Sequence, residues 1–330
     1  MVFVVRQAGD LRESEPIVHA HRAIARDNRL PAVHWLMDAT PLPDTTHTPS
    51  SHGAGEWSTQ ETTSAWAAND DLFEDMTRAL TDAVVELAEL QPGMGVLDLA
   101  CGTGKLALVA AEKVAPDGVV CASDVSSGMV EVARHNAAAR GDADVRFKVG
   151  DAHQLPFPDH AFDRVLCRLG VMFFRADIDA LGEVRRVLTA DGRAVFLVWG
   201  RRDAPFFEST LGVVTAHLGT PPALRGTPVP FRHADPGVLA RAFRLAGFAQ
   251  VTEERRDVSI TWPGSAREFV QWRLETSSGP FQALFKQLLS GVEPSVRERI
   301  GAEMINCVGD YEHGETVSLP AEVVLVVATR

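Results

Sequence analysis

Residues 96–108, VLDLACGTGKLAL, decide the fold. An apolar run that contains Asp98 ends at Leu99, and a turn with Gly102 and Gly104 leads from it into a helical pattern. Glycines between a strand and a helix let a ligand approach the backbone and direct unpaired N–H groups at a negative group. The G-x-G-x-x-A spacing of residues 102–107 also occurs in dinucleotide-binding turns, so the turn predicts a nucleotide-like ligand without specifying it.

Short β-rich runs alternate with helical segments around this turn. A helix is predicted over 70–90, strands over 95–99, 119–123, 145–149, 162–168 and 193–199, and helices over 104–114, 127–139 and 177–188. This alternation favours a parallel sheet with helices on both faces. Beyond it come a Pro-rich insertion at 200–235, a helix at 236–246, strands at 251–262 and 321–329, and a helical stretch at 265–308. The fold class is therefore α/β, with a Rossmann-like, doubly wound, mostly parallel seven-stranded sheet, an antiparallel edge strand and a helical cap.

Composition limits the function. The chain has 330 residues, of which 45% are hydrophobic, so it can bury one large core. Its formal charge of -12 argues against nucleic acid as a partner, because phosphate backbones would be repelled. The four cysteines have no C-x-x-C spacing, so we expect reduced thiols, no metal site and a cytoplasmic location. No apolar run is long enough to predict a membrane span.

The region before residue 57 differs from the rest. Residues 38–60 are rich in Pro, Thr, Ser and Gly, which is typical of an unstructured linker, and residues 1–36 show no sustained period. We therefore expect an N-terminal arm and disordered linker at 1–56 and a single domain at 57–330. Its cap would consist of segments 57–75, 200–235 and 265–316.

Two further acidic residues follow the second and third strands. Asp124 lies twenty residues after Gly104, where its carboxylate can accept hydrogen bonds from both hydroxyls of a ribose. Asp151 follows the third strand, where it and the next backbone N–H can bind the edge of adenine. A ribose occurs both in nicotinamide nucleotides and in S-adenosylmethionine, so Asp124 alone leaves both open.

Several longer motifs distinguish these possibilities. They are LDLACGTG, the spacing of Asp124, Ser126 and Met129, GDAHQLPFPDHAFD, RLGVMFF, and ADPGVLARAFRLAGF. In this order the chain resembles the class I S-adenosylmethionine-dependent methyltransferases over about residues 57–330. The resemblance is to the small-molecule branch typified by the ubiquinone and menaquinone biosynthesis C-methyltransferases. It implies S-adenosylmethionine as cofactor and methyl transfer to a small-molecule acceptor.

The resemblance also implies which residues bind the cofactor: Asp98, Ala100, Gly102, Gly104, Asp124, Val125, Met129, Asp151, Ala152 and Arg168. The two glycines would lie under the methionine part, and Asp98 would support its ammonium group directly or through water. Arg168 would offer backbone atoms near that ammonium.

The remaining residues of this set would bind the adenosine part. Asp124 would bind the ribose, Val125 and Met129 would pack on the adenine, and Asp151 and Ala152 would bond its edge.

Other residues invite a catalytic interpretation. Cys101 has no basic neighbour in sequence, so we interpret it as an inert core residue. His153 lies in a polar segment and is interpreted as a solvated loop residue, and no catalytic base is assigned. Trp66 and Phe173 are candidates for contact with the acceptor, because both should fall beside the cofactor in this fold.

The sequence therefore predicts methyl transfer by in-line displacement to a carbon, oxygen, nitrogen or sulfur atom of a small, fairly apolar acceptor. Two alternatives stay open. One is a methyltransferase fold that binds the cofactor for another activity. The other is an NAD(P)-dependent oxidoreductase, which rests on the glycine turn and Asp124.

Overall fold

A computed structural model describes residues 60–141, 145–219, 229–275 and 285–330. The expected arm and linker at 1–56 lie outside the described residues, as do parts of the three expected cap segments.

Helix α1, Gln60–Ala88, precedes the sheet. It buries Met76, Leu80 and Val84, which recur every four residues, and this periodicity is the reason that the segment forms an amphipathic helix. The helix is kinked at Thr77, whose φ and ψ are -108° and 16° and whose hydroxyl donates to the Phe73 carbonyl at 2.7 Å. The helix begins at Gln60, ten residues before the predicted start. The part of the helix that precedes the kink is therefore longer than the sequence predicts.

Five parallel strands and three helices follow. The strands are β1 Gly95–Leu99, β2 Val119–Asp124, β3 Val145–Val149, β4 Phe162–Arg168 and β5 Leu188–Trp199. The helices are α2 Lys105–Val114, α3 Ser127–Arg140 and α4 Asp177–Val187. Strand β5 begins five residues before its predicted start, because Leu188 already pairs with Phe162 of β4 across an irregularity in the register.

The cap-forming and C-terminal elements come next. The helical segment α5 comprises Pro205–Phe207, a π-helical Glu208–Gly212 and Val213–Leu218. It is followed by α6 Val238–Leu245, β6 Gln250–Trp262, α7 Ala266–Glu275, α8 Pro294–Gly309, β7 Glu312–His313 and β8 Thr316–Thr329.

The sheet has the order β3-β2-β1-β4-β5-β8-β6, and the short β7 pairs with β8. Strand β8 runs antiparallel to both β5 and β6. The mostly parallel seven-stranded path with antiparallel pairing at one edge is thus confirmed. Within that edge, β8 is inserted between β5 and β6, and β7 is an additional strand that the sequence did not predict. The chain order reverses between β1 and β4, and such a switch point is where open α/β sheets bind ligands, beyond the carboxyl ends of the strands.

Candidate functional site

A cleft of about 1730 Å³, counting its open mouth, lies at the carboxyl ends of β1 to β4. Nine of the ten residues proposed to bind the cofactor line it: Asp98, Ala100, Gly102, Asp124, Val125, Met129, Asp151, Ala152 and Arg168. Trp66 and Phe173, the candidates for acceptor contact, line it as well. The fold therefore brings Trp66 and Phe173, which are 107 positions apart in sequence, into one cavity.

The two glycines of the turn have different surroundings. Gly102 has a φ of 53°, and a Cβ added there would meet no atom within 4 Å, so this position faces open space. Gly104 has a φ of 83° and lies at the N-cap of α2. A Cβ on Gly104 would come within 2.9 Å of the Ala133 Cβ, so this glycine permits close packing of the turn on α3. Gly104 is buried behind the cleft wall rather than exposed in it.

Asp124 joins the end of β2 to the glycine turn. Its two carboxylate oxygens accept hydrogen bonds from the backbone N–H groups of Gly102 and Ser126, both at 2.9 Å. Burial raises the pKa of Asp124, while these N–H groups and that of Val125 act in the opposite direction. Because each carboxylate oxygen can accept more than one hydrogen bond, Asp124 can hold the turn and also accept from ribose hydroxyls.

Asp98 is a buried acid at the base of the cleft. Its side chain belongs to β1 and the residue is 1% exposed. Burial raises its pKa to about 7, and the nearby charge of Arg168 opposes that rise. Among the described residues, no donor reaches Asp98 Oδ2. A buried acceptor without a partner is costly, so a cationic donor of a ligand would complete this site.

The Arg168 side chain is engaged by helix α1. Its guanidinium donates to Glu74 at 2.8 Å and to the Thr81 hydroxyl at 2.7 Å, and Thr81 in turn donates to Glu74 at 2.8 Å. These bonds turn the guanidinium toward α1. The contact of the Arg168 backbone with a cofactor stays a prediction.

Asp151 belongs to a network that the sequence analysis missed. One oxygen of Asp151 accepts from the backbone N–H of His153 at 2.9 Å and lies 2.6 Å from His153 Nδ1, and the other lies 3.1 Å from Arg175. Nε2 of His153 accepts from the backbone N–H of Ala176 at 3.2 Å, so the ring is neutral with its proton on Nδ1. Burial would raise the pKa of Asp151, but the hydrogen bonds from the backbone and ring of His153 and the charge of Arg175 outweigh it and lower that pKa.

The interpretation of His153 as a solvated loop residue is therefore wrong. Its side chain is 16% exposed and both ring nitrogens have partners. The Asp-x-His spacing in GDAHQ was the available signal, since a carboxylate two residues before a histidine can reach its ring.

Two non-glycine residues adopt left-handed backbone conformations at the ends of neighbouring strands. Ala100, after β1, has a φ of 57°, and Leu169, after β4, has a φ of 60°. Both line the cleft. Such conformations cost on the order of 1–2 kcal/mol each for residues with a Cβ and concentrate at ligand-binding sites.

The far end of the cleft is lined mainly by aromatic side chains. Trp66 packs edge to face against Phe73 of α1, with ring centroids 5.0 Å apart. Phe206 of α5, Pro230 and Arg273 of α7 complete this end. All three expected cap segments thus contribute lining residues, whereas the aromatic residues Trp57 and Phe281 lie outside the described residues.

Helix α1 is tied to the glycine turn by an ionic cluster. Lys105, the residue after Gly104, forms ion pairs with Asp70 at 2.9 Å and Asp71 at 2.6 Å. Asn136 of α3 donates to Asp70 at 2.7 Å and to the Thr103 carbonyl at 3.0 Å. The Lys105 side chain is 8% exposed, so these contacts hold α1 firmly beside the turn.

Other chemistry finds little support at this site. Burial and the charges of Asp124 and Asp98 raise the pKa of Cys101 well above its ordinary value, which makes this thiol a poor nucleophile. In the parts of the chain that the structure describes, no group of His, Cys, Asp and Glu side chains could hold a metal ion. The described helices are also too short or too polar to cross a membrane.

The sheet order, the glycine turn, and the acidic residues in β1, at the end of β2 and after β3 are the features that the resemblance to the class I S-adenosylmethionine-dependent methyltransferases implies. Residues 96–192 match the family model of the methyltransferase domain.

Individual relatives match to different extents. The chain is 28% identical over 260 residues to nocamycin O-methyltransferase of Saccharothrix syringae, covering 75% of this chain and 88% of that protein. It is 46% identical over 113 residues to demethylmenaquinone methyltransferase of Thermus thermophilus, covering 34% of this chain and 50% of that protein. The chain thus spans about half the length of this menaquinone relative.

Solved structures agree on the fold. The methyltransferase of Haloferax volcanii in complex with the Trm112 methyltransferase activator has a TM-score of 0.51 at 19% identity, with coverage of 82% of this chain and 99% of that one. The YcgJ protein from Bacillus subtilis has a TM-score of 0.50 at 20% identity, with coverage of 77% and 98%.

Proposed function

We propose that this chain transfers a methyl group from S-adenosylmethionine to a small, fairly apolar acceptor held between the cofactor and the cap. The observation that carries the proposal is that one cleft has a polar end at the strand termini and an aromatic end at the cap. This cleft combines a polar lining that suits a cofactor with an aromatic lining that suits an apolar acceptor. A cofactor and an acceptor can therefore share it.

The described residues suit the cofactor. Asp98 offers a buried oxygen without a donor, which suits an ammonium group. Gly102 leaves open space beside the backbone, and Asp124 has remaining acceptor capacity for two ribose hydroxyls. Val125, Met129 and the Asp151 loop line the part of the cleft where the adenine would lie.

When bound, S-adenosylmethionine supplies a methyl group whose bond to a positively charged sulfur breaks, leaving the electron pair on sulfur, as the acceptor atom bonds to the carbon. The work left to the protein is orientation and exclusion of water. Holding reactants in line can lower a barrier by roughly 7–11 kcal/mol relative to free reactants. Helix α1 can help to exclude water from the cleft, because Lys105 and Asn136 bind it beside the glycine turn.

A general base is not needed for an acceptor that arrives ionised. His153 is poorly placed to act as one, because Asp151 and the Ala176 N–H occupy both of its ring nitrogens. A dry pocket also favours the reaction of an anionic nucleophile with a cationic sulfur centre, because charge is lost in the transition state.

We propose oxygen as the acceptor atom on the likeness to one relative, nocamycin O-methyltransferase. The match to nocamycin O-methyltransferase covers 260 residues, whereas the methyltransferase domain has 97. This likeness therefore extends beyond the domain into the segments that supply the acceptor end of the cleft. The match of 113 residues to the menaquinone relative is of about the length of that domain.

The proposal also covers the domain organisation, the kind of partner and the location of the protein. We take residues 57–330 as one domain whose cap segments enclose the acceptor. The formal charge of -12 supports a small molecule rather than nucleic acid as the partner. The four cysteines are free thiols, which supports the reducing environment of the cytoplasm.

The test measures product formation and cofactor binding separately. The protein is incubated with S-adenosylmethionine and a panel of phenols, enols and carboxylic acids, and S-adenosylhomocysteine is quantified by mass spectrometry. Asp124→Ala serves as the control with impaired cofactor binding. Cofactor binding without S-adenosylhomocysteine formation for any acceptor would instead favour a methyltransferase fold with another activity.

A further inference from the structure

A buried cation lies at the aromatic end of the cleft. Arg273 of α7 is 3% exposed and lines the cavity. Its guanidinium carbon lies 5.0 Å from the ring centroid of Phe206 and 5.2 Å from that of Phe285. The charge is therefore placed among aromatic rings at a wall that a ligand can reach.

A charge in these surroundings has a physical consequence. Burial lowers the pKa of Arg273 to about 9, so the guanidinium is still charged at neutral pH. Aromatic faces attract a cation and offset part of its desolvation, but a buried charge gains most from an anion that is excluded from water with it. An anionic ligand entering this end of the cleft is thus favoured over a neutral one of the same shape.

The position of Arg273 assigns it to the acceptor rather than to the cofactor. The ring centroid of Phe206 lies 5.9 Å from that of Trp199 and 4.9 Å from that of Phe207. Phe206 therefore belongs to an aromatic cluster that joins the end of β5 to α5. The neighbouring Trp272 donates to Asn69 of α1 at 3.2 Å, so α7 meets the same helix that carries Trp66.

Two other arginines line the cleft. Arg168 pairs with Glu74 at 2.8 Å, and Arg175 pairs with Asp151 at 3.1 Å. Arg168 ends β4 and Arg175 follows that strand, so both lie near the strand termini. Arg273 instead packs on the rings of the acceptor end, where an apolar molecule would lie.

We infer that Arg273 recognises an acidic oxygen group, a carboxylate, enolate or phenolate, on an otherwise apolar acceptor. This inference rests on the proposed function for the meaning of the acceptor end. Arg273 is a specificity-determining residue in this role: its guanidinium binds the anionic group, and the rings of Trp66, Phe173 and Phe206 contact the apolar part.

The test uses two fluorescent probes of the same aromatic framework. 1-Anilinonaphthalene-8-sulfonate is anionic, and N-phenyl-1-naphthylamine lacks the sulfonate and is neutral. Their dissociation constants are measured for the full chain, with and without S-adenosylhomocysteine. The variants are Arg273→Met, Arg273→Lys, and Arg267→Met, which removes an exposed arginine from the same helix and serves as the matched control.

The wild-type chain should bind the anionic probe at least tenfold more tightly than the neutral one. Arg273→Met should abolish this preference by weakening the anionic probe about tenfold, with less than a twofold change for the neutral probe. Arg273→Lys keeps the charge and should retain at least a threefold preference, and Arg267→Met should behave as the wild type.

The inference is overturned if the wild-type chain shows no preference for the anion, if Arg273→Met retains it, or if Arg267→Met loses it equally. The wild-type and Arg273→Lys measurements decide the matter should Arg273→Met fail to fold. Because the probe assay needs no turnover, a chain that prefers the anion but does not bind S-adenosylmethionine would refute the proposed function and not this inference. Conversely, weaker S-adenosylmethionine binding by Arg273→Met with an unchanged probe preference would show that the guanidinium binds the cofactor. That result would overturn the inference.

Discussion

Replacement of Asp98 by Asn should stabilise the ligand-free protein and weaken cofactor binding. Asp98 is 1% exposed, and no donor among the described residues reaches its Oδ2. Asn has nearly the same shape as the protonated acid, so the substitution removes a buried negative charge without leaving a cavity. The same charge is the group that we propose for binding the ammonium of S-adenosylmethionine, so stability and binding should change in opposite directions.

The pKa of Asp98 sets the size of this effect. Burial raises the pKa from 3.8 to about 7. Between these two values the folded chain binds a proton that the unfolded chain has lost, so the stability contributed by this group falls as the pH rises. The loss is complete above about pH 7. A shift of about three pKa units corresponds to at most about 4 kcal/mol at about 1.4 kcal/mol for each unit.

Urea unfolding of wild type and Asp98→Asn at pH 5, 6, 7 and 8 measures this difference. The variant should gain stability relative to wild type as the pH rises, reaching about 2–4 kcal/mol at pH 8. Calorimetry at pH 8 should show S-adenosylmethionine affinity reduced by about 1.5–3 kcal/mol, the value of a hydrogen bond to a charged group. A stability difference that does not change with pH, or a variant less stable than wild type at pH 8, would refute the reasoning.

Four further substitutions, one of them a control, test other parts of the site. Asp124→Ala should lower S-adenosylmethionine affinity by about 1.5–3 kcal/mol in calorimetry, because the ribose hydroxyls lose a charged acceptor, and unchanged affinity would contradict its role. Gly104→Ala should lower the free energy of unfolding by about 1–3 kcal/mol, because φ is 83° and its Cβ would approach the Ala133 Cβ at 2.9 Å. The control is Gly102→Ala, because a Cβ at this position would meet no protein atom within 4 Å. It should cost less stability than Gly104→Ala while weakening cofactor binding. Trp66→Ala should reduce turnover of an acceptor far more than cofactor affinity, and equal losses would place this indole outside the acceptor site.

The central sheet and the cofactor end of the cleft could be predicted from sequence because their signals are local. Strands β1, β3 and β4 have the bounds that their apolar runs predict, and each is followed by a turn whose residues line the cleft. Asp124 illustrates this, since its position at the end of β2 follows directly from the pattern.

The cap could be predicted less well because its contacts are distant in sequence. Residues 205–218 were interpreted as a Pro-rich insertion, yet they form α5, whose Phe206 and Phe207 are buried against Trp199. Arg273 carries no local signal at all, since its place in the cleft depends on how α7 packs beside α5. Trp66 and Phe173 were singled out because the family resemblance fixed the positions of α1 and the loop after β4 relative to the cofactor.

The role of Gly104 shows a subtler limit. The G-x-G-x-x-A pattern treats both glycines as ligand-facing, but the backbone turns Gly104 into α3 and leaves Gly102 at the cleft. A spacing pattern shows where glycine is required and does not distinguish close packing from close approach of a ligand.

Titration calorimetry with S-adenosylmethionine and with NAD tests the central claim most directly. The account predicts saturable binding of one S-adenosylmethionine by each chain and much weaker or undetectable binding of NAD. Binding of NAD in preference to S-adenosylmethionine, or no binding of S-adenosylmethionine by the folded chain, would contradict it.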